Sequence, residues 1–122
     1  MQASARSKTN YHAGLAAEDI IARTYAERGC IEAARRWRGQ GGEIDLIMRD
    51  GDSVVFIEVK KSTTHRRAVE RVTRRQMDRI CIAASEFVGR EPRGMLTPMR
   101  FDVATVDHSG QVQVITNAFG GW

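Results

Sequence analysis

The chain contains little of what small secreted proteins use to stabilise themselves. Its 122 residues include only two cysteines, Cys30 and Cys81, which lie far apart and form no C-x-x-C pair. This spacing argues against both a disulfide framework and a structural zinc site, and it favours two buried thiols in a reducing cytosol. A chain of this length can bury a core without such cross-links, so the sequence predicts one domain.

The sequence also lacks a long apolar run. The longest one, residues 80–84, is far shorter than the ~20 residues that a membrane-spanning helix needs. The first ten residues carry positive charge but no apolar segment, which argues against a signal peptide. We therefore expect a cytoplasmic protein without a membrane partner, in which residues 1–9 form a flexible arm and residues 10–119 form a single domain.

Acidic residues are scarce in one part of the chain. The whole sequence has 19 Lys and Arg against 15 Asp and Glu, a net charge of +4, which favours an anionic partner such as nucleic acid. Eight of the 19 basic residues fall between positions 60 and 79, where only Glu70 and Asp78 oppose them. This density suits phosphate-backbone contacts, although a solvated helix face explains it too. The candidate nucleic-acid contacts are Lys61, Arg66, Arg67, Arg71, Arg74 and Arg75, and the patch could extend to Arg35, Arg36 and Arg38 around Trp37.

Apolar periodicity and turn residues predict two helices and five strands. The first helix is expected to begin at Thr9 or Asn10 and to end at Gly29, and the second to begin at Thr73 and end at Gly89. The strands are expected over residues 31–38, 43–48, 53–60, 99–106 and 112–116. A helical crossover after the third strand permits a parallel pairing. The order αβββαββ therefore predicts an α/β fold with a mixed five-stranded sheet flanked by helices.

The second and third strands carry acidic residues at alternate positions. Because alternate side chains of a strand share a face, Glu43 and Asp45 point one way, and Glu58 and Lys60 point together in the next strand. An Asp-Gly turn at residues 50–51 would join the strands as a tight hairpin. In that register Glu43 lies opposite Glu58, and Asp45 lies diagonally beside it at about 7–8 Å. The hairpin would thus gather three carboxylates and one ammonium group on one sheet face.

Carboxylates held this close repel one another and need a cation or a proton. Lys60 supplies one positive charge, and Mg²⁺ or Mn²⁺ could supply the rest, since Mg²⁺ usually takes one or two carboxylates, waters and phosphate oxygens. Such a metal activates water and neutralises charge at a reacting phosphate, so the pattern suits phosphodiester hydrolysis. The alternative is that these residues are the salt-bridged polar ends of two amphipathic strands, which the spacing alone explains equally well.

Two further side chains bear on the same site. Glu18 falls on the apolar stripe of the first helix, beside Ile21, and an inward carboxylate is costly unless something pairs with it. It could join the metal ligands, although a cap or a salt bridge explains it as well. Gln76 follows Thr73 by three residues, as in a capping box, and could alternatively reach the site from the second helix.

Longer motifs add a family resemblance. Residues 42–47 (GEIDLI) and 55–60 (VFIEVK), with further matches at 14–18, 100–103 and 117–119, closely resemble the YraN-like family of small bacterial proteins. That family is similar to the PD-(D/E)XK nucleases, which include Holliday-junction resolvases, and the resemblance implies a restriction-endonuclease-like core. It also implies roles for single residues. Asp45 and Glu58 would be metal ligands completed by Glu18, Lys60 would be the catalytic lysine, and Glu43 would be a supporting or structural residue.

The sequence therefore leads to a Mg²⁺- or Mn²⁺-dependent nuclease that acts on DNA, with branched or otherwise structured DNA as a candidate substrate. Two other interpretations stay open. One is a nucleic-acid-binding module that keeps the fold without turnover, and the other is an adaptor whose basic face docks an acidic protein. The resolvase resemblance also raises the option of a dimer.

Overall fold

The computed structural model describes residues 16–61 and 64–119. The first helix, α1, covers residues 16–27 of this part and ends before Gly29. Gly29 has a φ of 92°, the left-handed conformation that commonly ends a helix. The predicted start of this helix at Thr9 or Asn10, and the predicted arm over residues 1–9, lie outside the described residues.

Within the described chain, five strands and two more helices follow α1. The strands are β1 (Ile31–Arg38), β2 (Glu43–Asp50), β3 (Ser53–Lys61), β4 (Met99–Val106) and β5 (Val112–Ile115), and the helices are α2 (His65–Glu70) and α3 (Arg74–Val88). A 3-10 turn, Gly94–Leu96, lies in the connection from α3 to β4. All five predicted strands are present, and the predicted helix after Thr73 is α3.

The strands form one mixed sheet in the order β1-β2-β3-β4-β5. Only β3 and β4 run parallel among these neighbours, as the helical crossover between them requires. One core cluster includes Ile21 and Tyr25 of α1, and the other includes Ile80 and Ala84 of α3, so the two helices cover opposite faces of the sheet. This arrangement confirms the predicted α/β fold and is consistent with a restriction-endonuclease-like core. Among the described helices, none is long and apolar enough to span a bilayer.

The predicted element order lacks one helix. The short helix α2 lies between β3 and α3, so the observed order is αβββααββ. Its six residues are too few for helical periodicity to be recognised, because such patterns need a window of roughly 11–18 residues. His65 at its start bonds to Thr105 of β4, and its Nε2 lies 3.7 Å from Oδ2 of Asp107. Tertiary contacts therefore attach this helix to the sheet.

The turn between β2 and β3 also differs from the prediction. Asp50 pairs with Ser53, so the loop consists of Gly51 and Asp52 alone. Gly51 has a φ of 60°, and Asp52 is not among the residues with positive φ. This fits a two-residue turn with glycine at its first central position, whereas the prediction placed the Asp-Gly pair at the centre.

The new turn shifts the hairpin register by two residues. Leu46 pairs with Ile57, and continuing this register by one residue places Asp45 opposite Glu58. A shift of two keeps Ile47 and Phe56 on one shared face, because side chains alternate with a period of two. The predicted register was therefore wrong, and a hydrogen bond joins the two acids.

The β1–β2 loop packs tightly against α3. A Cβ atom at Gly41 would lie 2.2 Å from a methyl carbon of Ile82, and one at Gly42 would lie 3.2 Å from the carbonyl oxygen of Arg79. The backbone N–H of Gly41 also donates to Oε1 of Glu86 at 3.1 Å. A side chain at Gly41 would require Ile82 to move, and one at Gly42 would crowd the backbone of α3. They hold the start of β2 against α3.

Candidate active site

The candidate site lies where β2 begins and β3 ends. Backbone pairing between the two strands extends to Leu46 and Ile57. Beyond this pair, Oδ2 of Asp45 accepts a hydrogen bond from the backbone N–H of Val59 at 2.9 Å. The half-buried Asp45 carboxylate thus lies between the strands at the point where they separate.

Glu58 connects the other predicted residues to this point. Only 6% of its surface is exposed. Its Oε1 lies 3.0 Å from Nζ of Lys60, and it accepts a hydrogen bond from Nε2 of Gln76 at 2.9 Å. Lys60 is on the same strand, and Gln76 comes from the first turn of α3. The fold therefore brings Asp45, Glu58, Lys60 and Gln76 into one connected group.

The negative charge of Asp45 disfavours the ionisation of Glu58. Burial raises the pKa of Glu58, and the negative charge of Asp45 raises it further, to about 8, although the Lys60 ammonium opposes the rise. Burial also raises the pKa of Asp45, while the Val59 N–H and a hydrogen bond with Glu58 act in the opposite direction. The raised pKa of Glu58 favours its protonated form near neutral pH. A divalent cation could take the place of this proton.

Glu18 approaches Asp45 from the α1 side. It is 5% exposed, and its Oε1 accepts a hydrogen bond from Nε of Arg36 at 3.0 Å. Burial raises the pKa of Glu18, Arg36 lowers it, and the negative charge of Asp45 raises it. Because Glu58 contacts α3, the two glutamates reach the Asp45 region from opposite faces of the sheet.

Glu43 lies at the edge of the group. It is exposed, and its Oε2 accepts a hydrogen bond from Nη2 of Arg38 at 3.0 Å. Its negative charge contributes to the raised pKa of Asp45. Glu43 therefore acts on the site through its charge and pairs with β1, not with Glu58 as the predicted register implied.

Gln76 combines the two roles that its sequence position suggested. Oγ1 of Thr73 accepts a hydrogen bond from the backbone N–H of Gln76 at 3.1 Å, which caps α3. In a full capping box the glutamine side chain would return to the cap residue. Here that side chain donates to Glu58 instead. The helix start thus positions an amide group within the site.

The predicted nucleic-acid contacts form an exposed segment that begins beside Lys60. Nη1 of Arg71 donates to the carbonyl oxygen of Lys61 at 3.0 Å, and Nε of Arg74 donates to Oδ1 of Asp78 at 3.3 Å. These bonds help to define the path of the segment from β3 to α3. Exposed along it are Lys61, Arg66, Arg67, Arg71, Arg74 and Arg75. Basic side chains therefore extend from the end of β3 to the helix turn that carries Gln76.

From the sequence, Arg36 was expected only as part of an extended basic patch around Trp37. In the β1–β2 pair, Arg35 lies opposite Leu46 and Trp37 lies opposite Ile44, so Arg36 lies opposite Asp45. The glycines of the 39–42 loop mark a hairpin, and counting outward from that loop could have indicated this neighbour. The bond from Arg36 to Glu18 depends on the packing of α1 and could not be read from the sequence.

The oxygen donors at the site suit a hard divalent cation. Mg²⁺ usually binds one or two carboxylates and keeps several waters, and Asp45 with Glu58 provides such a pair. In the described ranges, no three His, Cys, Asp or Glu side chains are grouped as ligands of one metal ion. Asp45 and Glu58 therefore fit Mg²⁺ or Mn²⁺ as a two-carboxylate site, while Glu18, on the α1 side of the sheet, is bonded to Arg36.

Comparison with known proteins places this chain among close bacterial relatives. Residues 17–106 match the family described as Uncharacterised protein family UPF0102. A UPF0102 protein of Cereibacter sphaeroides (strain KD131) is 61% identical over 112 residues, which cover 92% of this chain and 96% of the relative. A UPF0102 protein of Ruegeria pomeroyi is 53% identical over 117 residues, covering 96% and 95%. The chain therefore belongs to the UPF0102 family, the YraN-like family that its motifs resemble.

Proposed function

We propose that this protein is a Mg²⁺- or Mn²⁺-dependent nuclease that hydrolyses phosphodiester bonds in DNA. The observation that carries the proposal is the pair of adjacent carboxyl groups, Asp45 and Glu58, whose pKa values are both raised. Perturbed carboxyl pairs of this kind are concentrated at catalytic and metal-binding sites. A lysine contacts the pair, and exposed arginines begin within a few residues of it.

The site residues fall into two groups, those that would hold the metal and those that would position or stabilise the reacting groups. Asp45 and Glu58 would hold the metal, with Glu18 as an additional acid nearby, and the metal would supply Lewis acidity to the phosphate and to a water molecule. Lys60, 3.0 Å from Glu58, would orient the attacking water or stabilise negative charge on the phosphorus centre. Gln76 would keep the Glu58 carboxyl group in a fixed orientation through its 2.9 Å hydrogen bond.

The basic segment supports nucleic acid as the substrate. Arginine and lysine side chains bind phosphate oxygens irrespective of base sequence, and the exposed ones here lead away from Lys60. Branched or otherwise structured DNA is included as a candidate, because the resolvase-like interpretation of the site favours it.

Purified protein incubated with single-stranded, duplex and four-way DNA in Mg²⁺ or Mn²⁺ tests the proposal. We expect cleavage by the wild type and its loss in Asp45→Asn and Lys60→Ala. Asp52→Asn and Arg93→Ala are matched controls, because both residues are exposed and lie at the other end of the hairpin or in the α3–β4 connection. Cleavage that persists in the two site variants would show that the assignment is wrong.

The salt dependence of DNA binding tests the substrate class separately. Charge reversal at Arg66 and Arg67 should reduce the slope of log affinity against log salt by ~0.9 for each phosphate that the protein no longer neutralises. Charge reversal at Arg93 should leave the slope unchanged. An unaltered slope for the Arg66 and Arg67 variants would exclude these arginines from the interface.

A non-catalytic nucleic-acid-binding module is the second candidate. It is favoured by the cations already present in the protein, since Lys60 contacts Glu58 and Arg36 contacts Glu18. These contacts partly neutralise the acids without any metal. Calorimetric titration with Mn²⁺ distinguishes the two candidates, because a pure binding module needs no metal affinity that depends on Asp45.

A further inference from the structure

Arg36 has an unusual backbone conformation for its place in the fold. Its φ is 51°, and among the described residues only Asn117 is another non-glycine with a positive φ. Asparagine tolerates this left-handed region, whereas arginine in a strand adopts it only under strain. Strain of this kind persists where the surrounding structure enforces it, and it is often associated with function.

The strained residue marks a switch of faces in two neighbouring strands. Trp37 and its partner Ile44 pack in the α3-side cluster. Two residues further along the strands, Arg35 pairs with Leu46. This pair faces α1, because Leu46 belongs to the α1-side cluster and Arg35 bonds to Asp19 of α1. In a regular ladder, pairs two residues apart share a face.

Arg36 and Asp45 therefore lie opposite each other at the point of this switch. Residues directly opposite in an antiparallel pair have Cα atoms about 4.5–5.5 Å apart. The switch lets Arg36 as well as Arg35 reach α1, and there Nε of Arg36 bonds to the buried Glu18 at 3.0 Å. The backbone strain thus places a guanidinium group beside the acids of the site.

We propose that Arg36 is the resident counter-ion of Glu18 and competes with a divalent metal for the negative charge of the site, so that it sets the metal affinity. This inference rests on the proposed metal site at Asp45 and Glu58. The guanidinium and the metal would repel each other at short range, and while Glu18 is bonded to Arg36 its charge contributes little to holding a cation. Loss of the guanidinium would leave Glu18 as an additional negative charge for the metal.

Calorimetric titration of the full chain with Mn²⁺, without nucleic acid, tests the inference and requires no catalysis. The key variant is Arg36→Gly, because glycine adopts a φ near 51° without strain and removes only the side chain. We expect this variant to bind Mn²⁺ about tenfold more tightly than the wild type. Arg35→Ala is the matched control, since it removes the same charge from the adjacent residue, whose partners are Asp19 and Glu32.

A double-mutant cycle with Glu18→Gln identifies the route of the effect. If Arg36 acts through Glu18, the gain from Arg36→Gly should be much smaller in the Glu18→Gln background. Urea unfolding of each variant shows whether it is folded. If Mn²⁺ binding depends on Asp45 but Arg36→Gly leaves the affinity unchanged or weakens it, this inference is overturned while the proposed function stands. If neither the wild type nor Arg36→Gly binds Mn²⁺, the metal site itself is wrong and the inference is overturned with it.

Discussion

Two buried acidic centres of this molecule differ in how their charges are balanced. Asp102 of β4 is 1% exposed, and three different groups donate to it. Oη of Tyr25 lies 2.6 Å from Oδ2, the backbone N–H of Asn117 lies 3.0 Å from Oδ1, and Nε of Arg100 lies 3.3 Å from both oxygens. A single carboxylate with this set of donors is a structural element.

The second centre contains two carboxyl groups, the buried Glu58 and the half-buried Asp45. Lys60 is its directly bonded ammonium group, and the negative charge of Asp45 raises the pKa of Glu58. Helix α1 reaches both centres, because Tyr25 bonds to Asp102 and the charge of Asp45 acts on Glu18. The two α1 residues are seven positions and thus about 10 Å apart along the helix. Burial of a carboxyl group is therefore common to both centres, whereas a second acid that raises the pKa of a buried glutamate is found at Asp45 and Glu58.

The largest loss of stability is expected from a substitution of Asp102. Asp102→Ala removes the acceptor shared by Tyr25, Arg100 and Asn117, so it should lower the free energy of unfolding by about 3–5 kcal/mol. Urea denaturation measures this value. Asp45→Asn is the comparison variant, and a comparable loss of stability in it would remove the distinction between the two centres.

Metal binding should act on the other centre alone. Mn²⁺ at a hundred times its dissociation constant should stabilise the wild type by about 2.7 kcal/mol, because the ion binds only the folded site. Thermal unfolding with and without Mn²⁺ measures the shift. The shift should disappear in Asp45→Asn and should persist in Tyr25→Phe. Equal shifts in both variants would place the metal elsewhere.

Tyr25 should contribute less to the free energy of unfolding than Asp102 does. Tyr25→Phe removes one hydrogen bond to a charged acceptor, which is worth about 1.5–3 kcal/mol, and leaves the buried ring in place. Urea unfolding should show a loss in this range with no change in Mn²⁺ affinity. If the Mn²⁺ affinity changed, the two centres would be coupled through α1.

The pH dependence of stability should come from Glu58. Its pKa is raised from 4.5 to about 8 in the folded protein, so between these values the folded state binds a proton that the unfolded state releases. The free energy of unfolding should therefore be highest at the acid end of this window and should fall as the pH rises towards 8.

Glu58→Gln should remove most of this slope. At pH 8 the variant should be more stable than the wild type by about 1–2 kcal/mol, less than the full linkage value because it gives up the ionic contact with Lys60. Glu43→Gln is the matched control, since that acid is exposed and pairs with Arg38. A slope that persists in Glu58→Gln would assign the proton to another group.

Local patterns account well for the parts of the fold that depend on neighbours in sequence. Gly29 and Gly89 end helices as expected, Thr73 caps α3, and the apolar residues Ile80 and Ala84 face the core. The short helix α2 and the turn at Gly51 were not predicted correctly. The helix is too short to have a period of its own, and the Asp-Gly pair is compatible with more than one turn.

The hairpin register was predicted wrongly, yet the predicted site residues still lie together. Asp45, Glu58 and Lys60 were expected on one hairpin, and the two-residue shift moved Asp45 from a position diagonal to Glu58 to one opposite it, so the two acids stayed adjacent. Gln76 and Glu18 come from helices distant in sequence. Local patterns could suggest that these side chains reach the site, but their hydrogen bonds to Glu58 and Arg36 follow only from how the helices pack.

The sequence by itself determined the α/β class, the strand order along the chain and the acidic hairpin, since these follow from periodicity and turn residues within short windows. Only the tertiary structure decided that Asp45 raises the pKa of Glu58, that Lys60 contacts Glu58 while Arg36 contacts Glu18, and that Arg36 has a left-handed conformation. The physical reason is that charge balance in a buried site depends on distances of a few ångströms between segments far apart in sequence. Such distances arise only when both helices pack on the sheet.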